Sequence, residues 1–357
     1  VRRLLFYTHA LVGGGAERVW ALLASGLAAR GHEVRFAVDF EAAANRAFLA
    51  PEVPITLLGP GHARTVTALS RLLAAMRPDV ALAAVGASNG KLVLARFLAR
   101  HRGAAVLSAH GRIDVEHGLL GRLTYLATPL FGRMSARTVV PSDDLRRYLI
   151  DRFASPARRT ITIPNPVSLP PLQAVPSAAA LAARPDVIVA MGRLVPEKGL
   201  ADVIAALARL APPARLVILG EGPERAALEA LAARLRVADR VAFRGYVPEP
   251  WPELAGAKML ALASRTEAFG NVLVEALAHG LPVVATRCGG PAEILGDGRH
   301  GRLVPIGDVG GLAAAIGATL ADPGDPARHR ARAEDYALPR ILDRWEVLLD
   351  DVLAAPR

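Results

Sequence analysis

Apolar and polar positions along this chain follow two periods in alternation. Short, nearly continuous apolar runs at 3–9 (RLLFYTH), 33–38, 55–58, 80–85, 104–109 and 138–140 are bounded by Gly, Pro or charged residues. Such runs predict strands buried on both faces, as in a parallel sheet. Between them, 16–30, 64–77, 91–102 and 118–135 carry apolar residues three and four apart, and another such stretch opens at Ser142. That spacing predicts helices with one buried face. Gly31 stands where a helix-terminating glycine belongs, and Pro78 follows the second helix. Residues 164–185 are rich in proline and read as a linker. The pattern then restarts, with strands at 186–190, 216–219, 241–244, 259–263 and 282–285. Helices are predicted at 200–210, 224–235 and 271–278. A last amphipathic helix, 339–353, is expected either to cap its own domain or to cross back onto the first. The prediction is an α/β protein of two doubly wound, parallel-sheet, Rossmann-like domains facing a cleft. Their bounds are 1–165 and 166–338, with 339–357 as the terminal helix.

Composition narrows the class. The chain has 357 residues, 52% of them hydrophobic, which suits two soluble domains with sizeable cores. Its one cysteine, Cys288, excludes an internal disulfide framework and a cysteine-based zinc site. It also points to a reducing compartment, so a cytoplasmic location is expected. Arg2 and Arg3 are followed by only a short apolar run, so no signal peptide is expected at this end. The longest uncharged run, 160–183, is interrupted by Pro164, Pro166, Pro170, Pro171 and Pro176 and does not suit a membrane span. The net charge of +10 is not evenly spread. Residues 1–165 carry 22 Lys and Arg against 11 Asp and Glu, so the basic excess lies in the first half. A field of that sign attracts an anionic substrate or membrane surface. The helices at 64–77 and 91–102 combine basic and apolar residues and are candidates for peripheral contact with the inner face of a cell membrane, although such helices also cover sheets. The basic half lacks aromatic platforms and any nucleic-acid module, so nucleic acid is not expected as a partner.

Candidate chemistry lies just after the strands. Gly13, Gly14 and Gly15 form a glycine turn leading into a helix, which brings N–H groups close to an anion. In the second half, Gly192, Arg193 and Lys198 occupy a strand-to-helix loop, where two cations suit a diphosphate. Gly220 and Glu221 close the next strand. Glu267 precedes a helix opened by Gly270, Asn271 and Val272, and Glu275 lies inside that helix. Two glutamates eight residues apart otherwise suit a solvated helix face. Cys288 reads as a small packed residue, with no histidine beside it in sequence to activate it.

These motifs, in this order, resemble the GT-B glycosyltransferases of retaining family 4 (glycosyl transferases group 1). The matching stretches are GGAERV at 14–19, GHEV at 31–34, RPDV at 77–80, IPNPV at 163–167, GRLVPEKG at 192–199, GEGPE at 220–224 and the block 264–295. Ala268 and His279 depart from the usual pattern. The resemblance implies a GT-B fold and a nucleotide-sugar donor, most simply a UDP-sugar. The implied catalytic residues are His110, Glu267, Arg193 and Lys198. The implied donor contacts are Gly14, Gly15, Gly192, Arg193, Lys198, Gly220, Glu221, Tyr246, Glu267, Gly270, Asn271, Val272 and Glu275. Arg18 is the candidate acceptor contact. The expected acceptor is a saccharide or lipid-linked saccharide in cell-envelope polysaccharide or glycan assembly.

No Asp-x-Asp metal pair is visible, so neither a metal nor any other cofactor is expected. Arg193, Lys198 and a helix N-terminus would stabilise the leaving diphosphate instead. Three alternatives stay open: a GDP-mannose-dependent mannosyltransferase, a GT-B-like nucleotide-sugar epimerase, and a non-catalytic nucleotide-sugar binder.

Overall fold

A computed structural model describes residues 1–42, 44–113, 119–171 and 175–354. The chain divides into two compact units, Val1–Pro166 together with Leu338–Arg357, and Val167–Ala337. The first unit contains β1 (Arg3–Thr8), α1 (Gly15–Ala29), β2 (Glu33–Val38), β3 (Ile55–Leu57), α2 (His62–Met76), β4 (Val80–Ala84), α3 (Gly86–Ala99), β5 (Ala104–Ser108), α4 (Leu119–Leu126), α5 (Thr128–Met134), β6 (Arg137–Val140), α6 (Asp143–Phe153) and β7 (Thr160–Thr162). The second contains α7 (Ala178–Ala182), β8 (Val187–Met191), α8 (Leu200–Leu207), β9 (Arg215–Leu219), α9 (Arg225–Arg234), β10 (Val241–Gly245), α10 (Trp251–Gly256), β11 (Met259–Leu262), α11 (Asn271–Ala278), β12 (Val283–Thr286), α12 (Gly289–Ile294), β13 (Arg302–Val304), α13 (Val309–Ala321) and α14 (Pro326–Glu334). The final helix, α15 (Leu338–Ala354), belongs to the first unit.

Both sheets are parallel throughout. Their orders are β3-β2-β1-β4-β5-β6-β7 and β10-β9-β8-β11-β12-β13. In each, the order reverses beside the unit's first strand, as in doubly wound folds. The central strands are buried along both faces, β4 and β11 completely. Polar groups are therefore displayed at the strand ends, where chain direction places every strand-to-helix loop on one edge.

Local chemistry sets the element ends. Ser142 caps α6 by accepting from the Leu145 N–H at 3.2 Å. The helix expected across 118–135 is two helices, α4 and α5. Pro129 lacks the N–H that would continue the ladder, so α5 restarts around it. The start expected at Gly118 lies outside the described residues. α3 begins at Gly86, earlier than the expected 91; its first turn, GASNG, is poor in apolar residues and so carries no helical periodicity. The linker expected at 164–185 contains the short helix α7, capped by Ser177. Strands β7 and β13 and helices α10, α13 and α14 were not evident from periodicity. α13 is so rich in Gly and Ala that its faces barely differ.

α15 covers one face of the first sheet's layer. It buries Ile341, Leu342, Trp345, Leu348, Leu349 and Val352. Trp345 stands edge-on to the fully buried Trp20 of α1, with ring centroids 5.7 Å apart. Trp20 in turn meets Phe6 of β1 at 5.3 Å. The helix also brings carboxylates to a basic surface. Arg30 pairs with Asp343 at 2.8 Å and Glu346 at 2.7 Å, Arg137 with Asp351 at 2.6 Å, and Arg2 with Asp350. Most of these pairs are partly exposed and add little individually, so burial of the apolar face is the main anchor.

Trp345→Ala is expected to lower the unfolding free energy by about 3–5 kcal/mol, the usual cost of deleting a buried tryptophan. Urea denaturation monitored by circular dichroism measures it. A loss under about 1 kcal/mol would mean that α15 is not integral to that core.

Candidate functional site

In the second unit, three loops at the carboxyl edge of the sheet are tied together through their backbones. The Leu194 N–H donates to Glu221 O at 2.8 Å, and the Gly220 N–H donates to Gly245 O at 2.7 Å. The approach is too close for side chains. Gly220 has φ +146°, and a Cβ there would lie 1.9 Å from Gly192 O. Gly199 has φ +62°, and a Cβ there would lie 2.0 Å from Ala263 O. Glycine at 199 therefore lets the turn carrying Lys198 rest directly against the end of β11.

That contact assembles a charged group. Lys198 Nζ is paired with Glu267 Oε1, and Ser264 Oγ donates to the same oxygen at 3.0 Å. Both ionic side chains are largely shielded, with 21% exposure for Lys198 and 13% for Glu267. Arg193, on the same loop, is 66% exposed, with Glu197 3.8 Å away. Its side chain is thus largely presented to solvent.

α11 opens beside this group. Gly270 is its N-cap with φ +103°, and Asn271 and Val272 are half-buried in its first turn. Glu275 is only 4% exposed. Neither glutamate therefore lies on an open helix face. Tyr246 is 41% exposed just after β10, and Glu221 is exposed. Cys288 is buried at the start of α12, 3.6 Å from the Thr286 hydroxyl.

In the first unit, Gly14 is the N-cap of α1 and Gly15 its first residue. The loop is held by Asn45, which sequence reasoning missed. Its Nδ2 donates to Val12 O and, at 2.8 Å, to Gly14 O. Arg18 lays its guanidinium over the Phe48 ring, 4.4 Å from the centroid. His110 follows β5, with Nε2 2.8 Å from Ser108 Oγ and its ring edge-on to Trp20 at 6.2 Å. Burial pushes its pKa down to about 4. The expected residues thus fall into two sets, each at its own sheet's carboxyl edge: Gly14, Gly15, Arg18 and His110 in one unit, the remainder in the other. Among the described residues, no group of three or more His, Cys, Asp or Glu side chains comes together to hold a metal.

Comparison with known proteins matches both units. The second matches the model of the glycosyl transferases group 1 over residues 176–337, and the first matches that of Glycosyltransferase Family 4 over 13–169. The chain belongs to this glycosyltransferase family. The lipopolysaccharide core biosynthesis glycosyltransferase LpsE of Rhizobium meliloti is 43% identical over 168 residues, covering 46% of this chain and 49% of that protein. The GDP-mannose-dependent alpha-(1-6)-phosphatidylinositol monomannoside mannosyltransferase of Mycolicibacterium smegmatis is 36% identical over 222 residues, 56% of this chain and 57% of that one. The aligned stretch thus spans about half the length of each of these curated relatives. HepE of Anabaena, solved in complex with UDP and glucose, matches with a TM-score of 0.84 at 21% identity, over 98% of this chain and 100% of that one. That likeness shows the GT-B fold for this family 4 chain.

Two desolvated imidazoles give this glycosyltransferase family member a pH dependence of definite sign. His110 and His279 are both lowered to about 4, chiefly by burial, with Arg330 and Arg184 adding to the effect at His279. The unfolded chain, with histidine near about 6.5, binds more protons than the folded one between those values. Stability is therefore expected to be full above pH ~6.5 and to fall progressively towards pH ~4. Urea midpoints measured from pH 7.5 to 4.5 test this, and a His110→Asn/His279→Asn variant should show a flatter profile. An unchanged slope in that variant would assign the acid sensitivity to other groups.

Proposed function

We propose that this chain is a retaining glycosyltransferase, moving a sugar from a UDP-sugar to a hydroxyl of a saccharide acceptor. The acceptor is lipid-linked, and the product enters cell-envelope polysaccharide or glycan assembly. The observation that carries this reading is the Lys198–Glu267 pair at the carboxyl edge of the second sheet, with Arg193 on the same loop as Lys198 and the N-terminus of α11 shortly after Glu267 in the chain.

The chemistry follows from charge. When the bond between the anomeric carbon and the diphosphate oxygen breaks, negative charge grows on the diphosphate. Lys198, Arg193 and the N–H groups at Gly270, Asn271 and Val272 stabilise it. Glu267 accepts hydrogen bonds from the sugar's hydroxyls, and Glu275 from the ribose. Gly192, Gly220, Glu221 and Tyr246 complete the donor contacts. In the first unit, burial keeps His110 neutral as a hydrogen-bonding group rather than a cation. The acceptor oxygen bonds to the anomeric carbon, and its proton passes to the departing phosphate oxygen. No metal takes part in this scheme, because the side chains and backbone already supply positive charge.

UDP is favoured by the ligand of HepE. GDP-mannose is the second reading, favoured by the mycobacterial relative. The site is expected to act at the cytoplasmic face of a membrane. No helix among the described residues is long and apolar enough to cross one. However, α3 leaves Leu94, Phe97 and Leu98 exposed, and α4 and α5 leave Leu123, Leu126 and Leu130 exposed. These helices are neighbours: Gly90 of α3 faces the Phe131 ring of α5. Arg100, Arg102, Arg122 and Arg133 lie on or beside the same elements, so charge and apolar surface together suit an anionic bilayer.

A thermal-shift panel of UDP, GDP, ADP and their sugar conjugates is expected to show stabilisation by one base, unchanged by EDTA. Saturation at 100 times Kd adds about 2.7 kcal/mol. Arg193→Ala and Glu267→Ala should lower turnover by at least 100-fold, on the order of 3 kcal/mol, while retaining the native circular dichroism spectrum. A shift abolished by EDTA would sink metal independence, and full activity in both variants would sink the site. For the surface, flotation with vesicles rich in phosphatidylglycerol at low salt should carry the wild type and leave Phe97→Glu behind. Equal recovery of the two proteins would remove this face from the proposal.

A further inference from the structure

A second built group occupies the carboxyl edge of the first sheet. His9 follows β1 and Asp39 follows β2. The ladder between these strands runs one row further, with the Asp39 N–H donating to His9 O at 2.9 Å. That register places the two side chains together. His9 Nδ1 lies 2.6 Å from Asp39 Oδ2, and Tyr7 donates its hydroxyl to Asp39 Oδ1 at 2.8 Å. Lys91, reaching across from α3, pairs with the same carboxylate. Asp39 is 2% exposed and Lys91 7%, so the ion pair is buried, whereas the His9 side chain is 57% exposed.

The charges determine what the imidazole presents. Lys91 and His9 share one carboxylate oxygen, Asp39 Oδ2. An ionised carboxylate only accepts, so Nδ1 carries the hydrogen and donates it. Nε2 is then a lone pair directed away from the carboxylate, with no partner among the described residues. Tyr7 cannot compete for that role. Burial and the Asp39 charge push its pKa above the ordinary phenol value, which holds it as a donor. Phe40 stands edge-on to His9 at 4.8 Å and is 39% exposed. An oriented hydrogen-bond acceptor beside an exposed aromatic ring matches a pyranose, which offers a hydroxyl hydrogen and an apolar C–H face.

We propose that His9, oriented by Asp39 and Lys91, binds a hydroxyl of the saccharide acceptor through Nε2, with Phe40 receiving the apolar face of the same sugar. This rests on the glycosyltransferase reading above and adds to it an acceptor subsite in the first unit. Asp39 and Lys91 are positioning residues, since they act through the imidazole.

The test uses the full chain, a nucleotide sugar of the base selected by thermal shift, and octyl glucoside, galactoside and mannoside as acceptors. Nucleoside diphosphate release is measured with and without acceptor. His9→Ala and Phe40→Ala are expected to raise the acceptor KM at least tenfold, leaving acceptor-free donor hydrolysis and the nucleotide thermal shift unchanged. His9→Gln, whose amide oxygen can accept a hydrogen bond, should recover part of the loss. Acceptor KM values equal to wild type in both alanine variants would overturn the subsite. Failure of the wild type to release diphosphate from any nucleotide sugar would instead overturn the parent reading, and the subsite with it. Independently of turnover, the His9 Nε2 resonance in the 15N spectrum should shift on addition of glycoside. No shift at saturating glycoside would overturn the assignment.

Discussion

A parallel sheet has to be covered on both faces, and that constraint governs both units. Strands such as β4 and β11 have no exposed face on which to carry chemistry. The charged groups of the two candidate sites lie instead within a few residues of a strand's carboxyl end or on the helix that follows. The covering layer is consequently as important to the site as the loops are. In the first unit the chain returns at its end to supply α15, and Trp345 meets Trp20, whose other edge faces His110. Packing at the sheet's covered face and placement of a polar group at its edge thus share one aromatic side chain.

Much of this architecture was legible in the sequence because punctuation and periodicity agreed. α11 begins and ends where expected, since Gly270 and Gly280 bracket an apolar-rich run. Where they disagreed, the reading failed. The first turn of α3 is built from Gly, Ala, Ser and Asn, and nothing local marks it as helical. Lys198, Glu267 and Arg193 could be singled out because each lies in a loop beside a strand end. The shielding of Glu275 could not, because it depends on what packs over α11. Asp39 and His9 were invisible for a related reason: their contact is a consequence of strand register across 30 positions of chain. Asn45 is equally silent in sequence, although it holds the glycine loop before α1.

The basic excess of the first half also acquires a more specific meaning. Part of it is consumed internally, as α15 places Asp343, Glu346, Asp350 and Asp351 against Arg30, Arg137 and Arg2. Arginines on α3, α4 and α5 are instead grouped with exposed leucines and Phe97. Total charge therefore says less than its distribution, because surface ion pairs screen the arginines they engage.

Lysine usage connects the two edges. Only three of the 43 basic side chains are lysine, yet each of the three is paired with a carboxylate: Lys91 with Asp39, Lys198 with Glu267 and Lys258 with Asp186. All three are well shielded, with 7%, 21% and 9% side-chain exposure respectively. Arginine presents a broad planar fork, whereas lysine delivers a compact charge on a flexible stem. Beside Asp39, a fork would crowd the oxygen shared with His9. Beside Glu267, the narrow stem passes over Gly192, where a Cβ would come within 3.6 Å of it. At both edges the ammonium holds a carboxylate in place, and that carboxylate can then accept hydrogen bonds: from a ring N–H in the first unit and, in the proposed reaction, from sugar hydroxyls in the second.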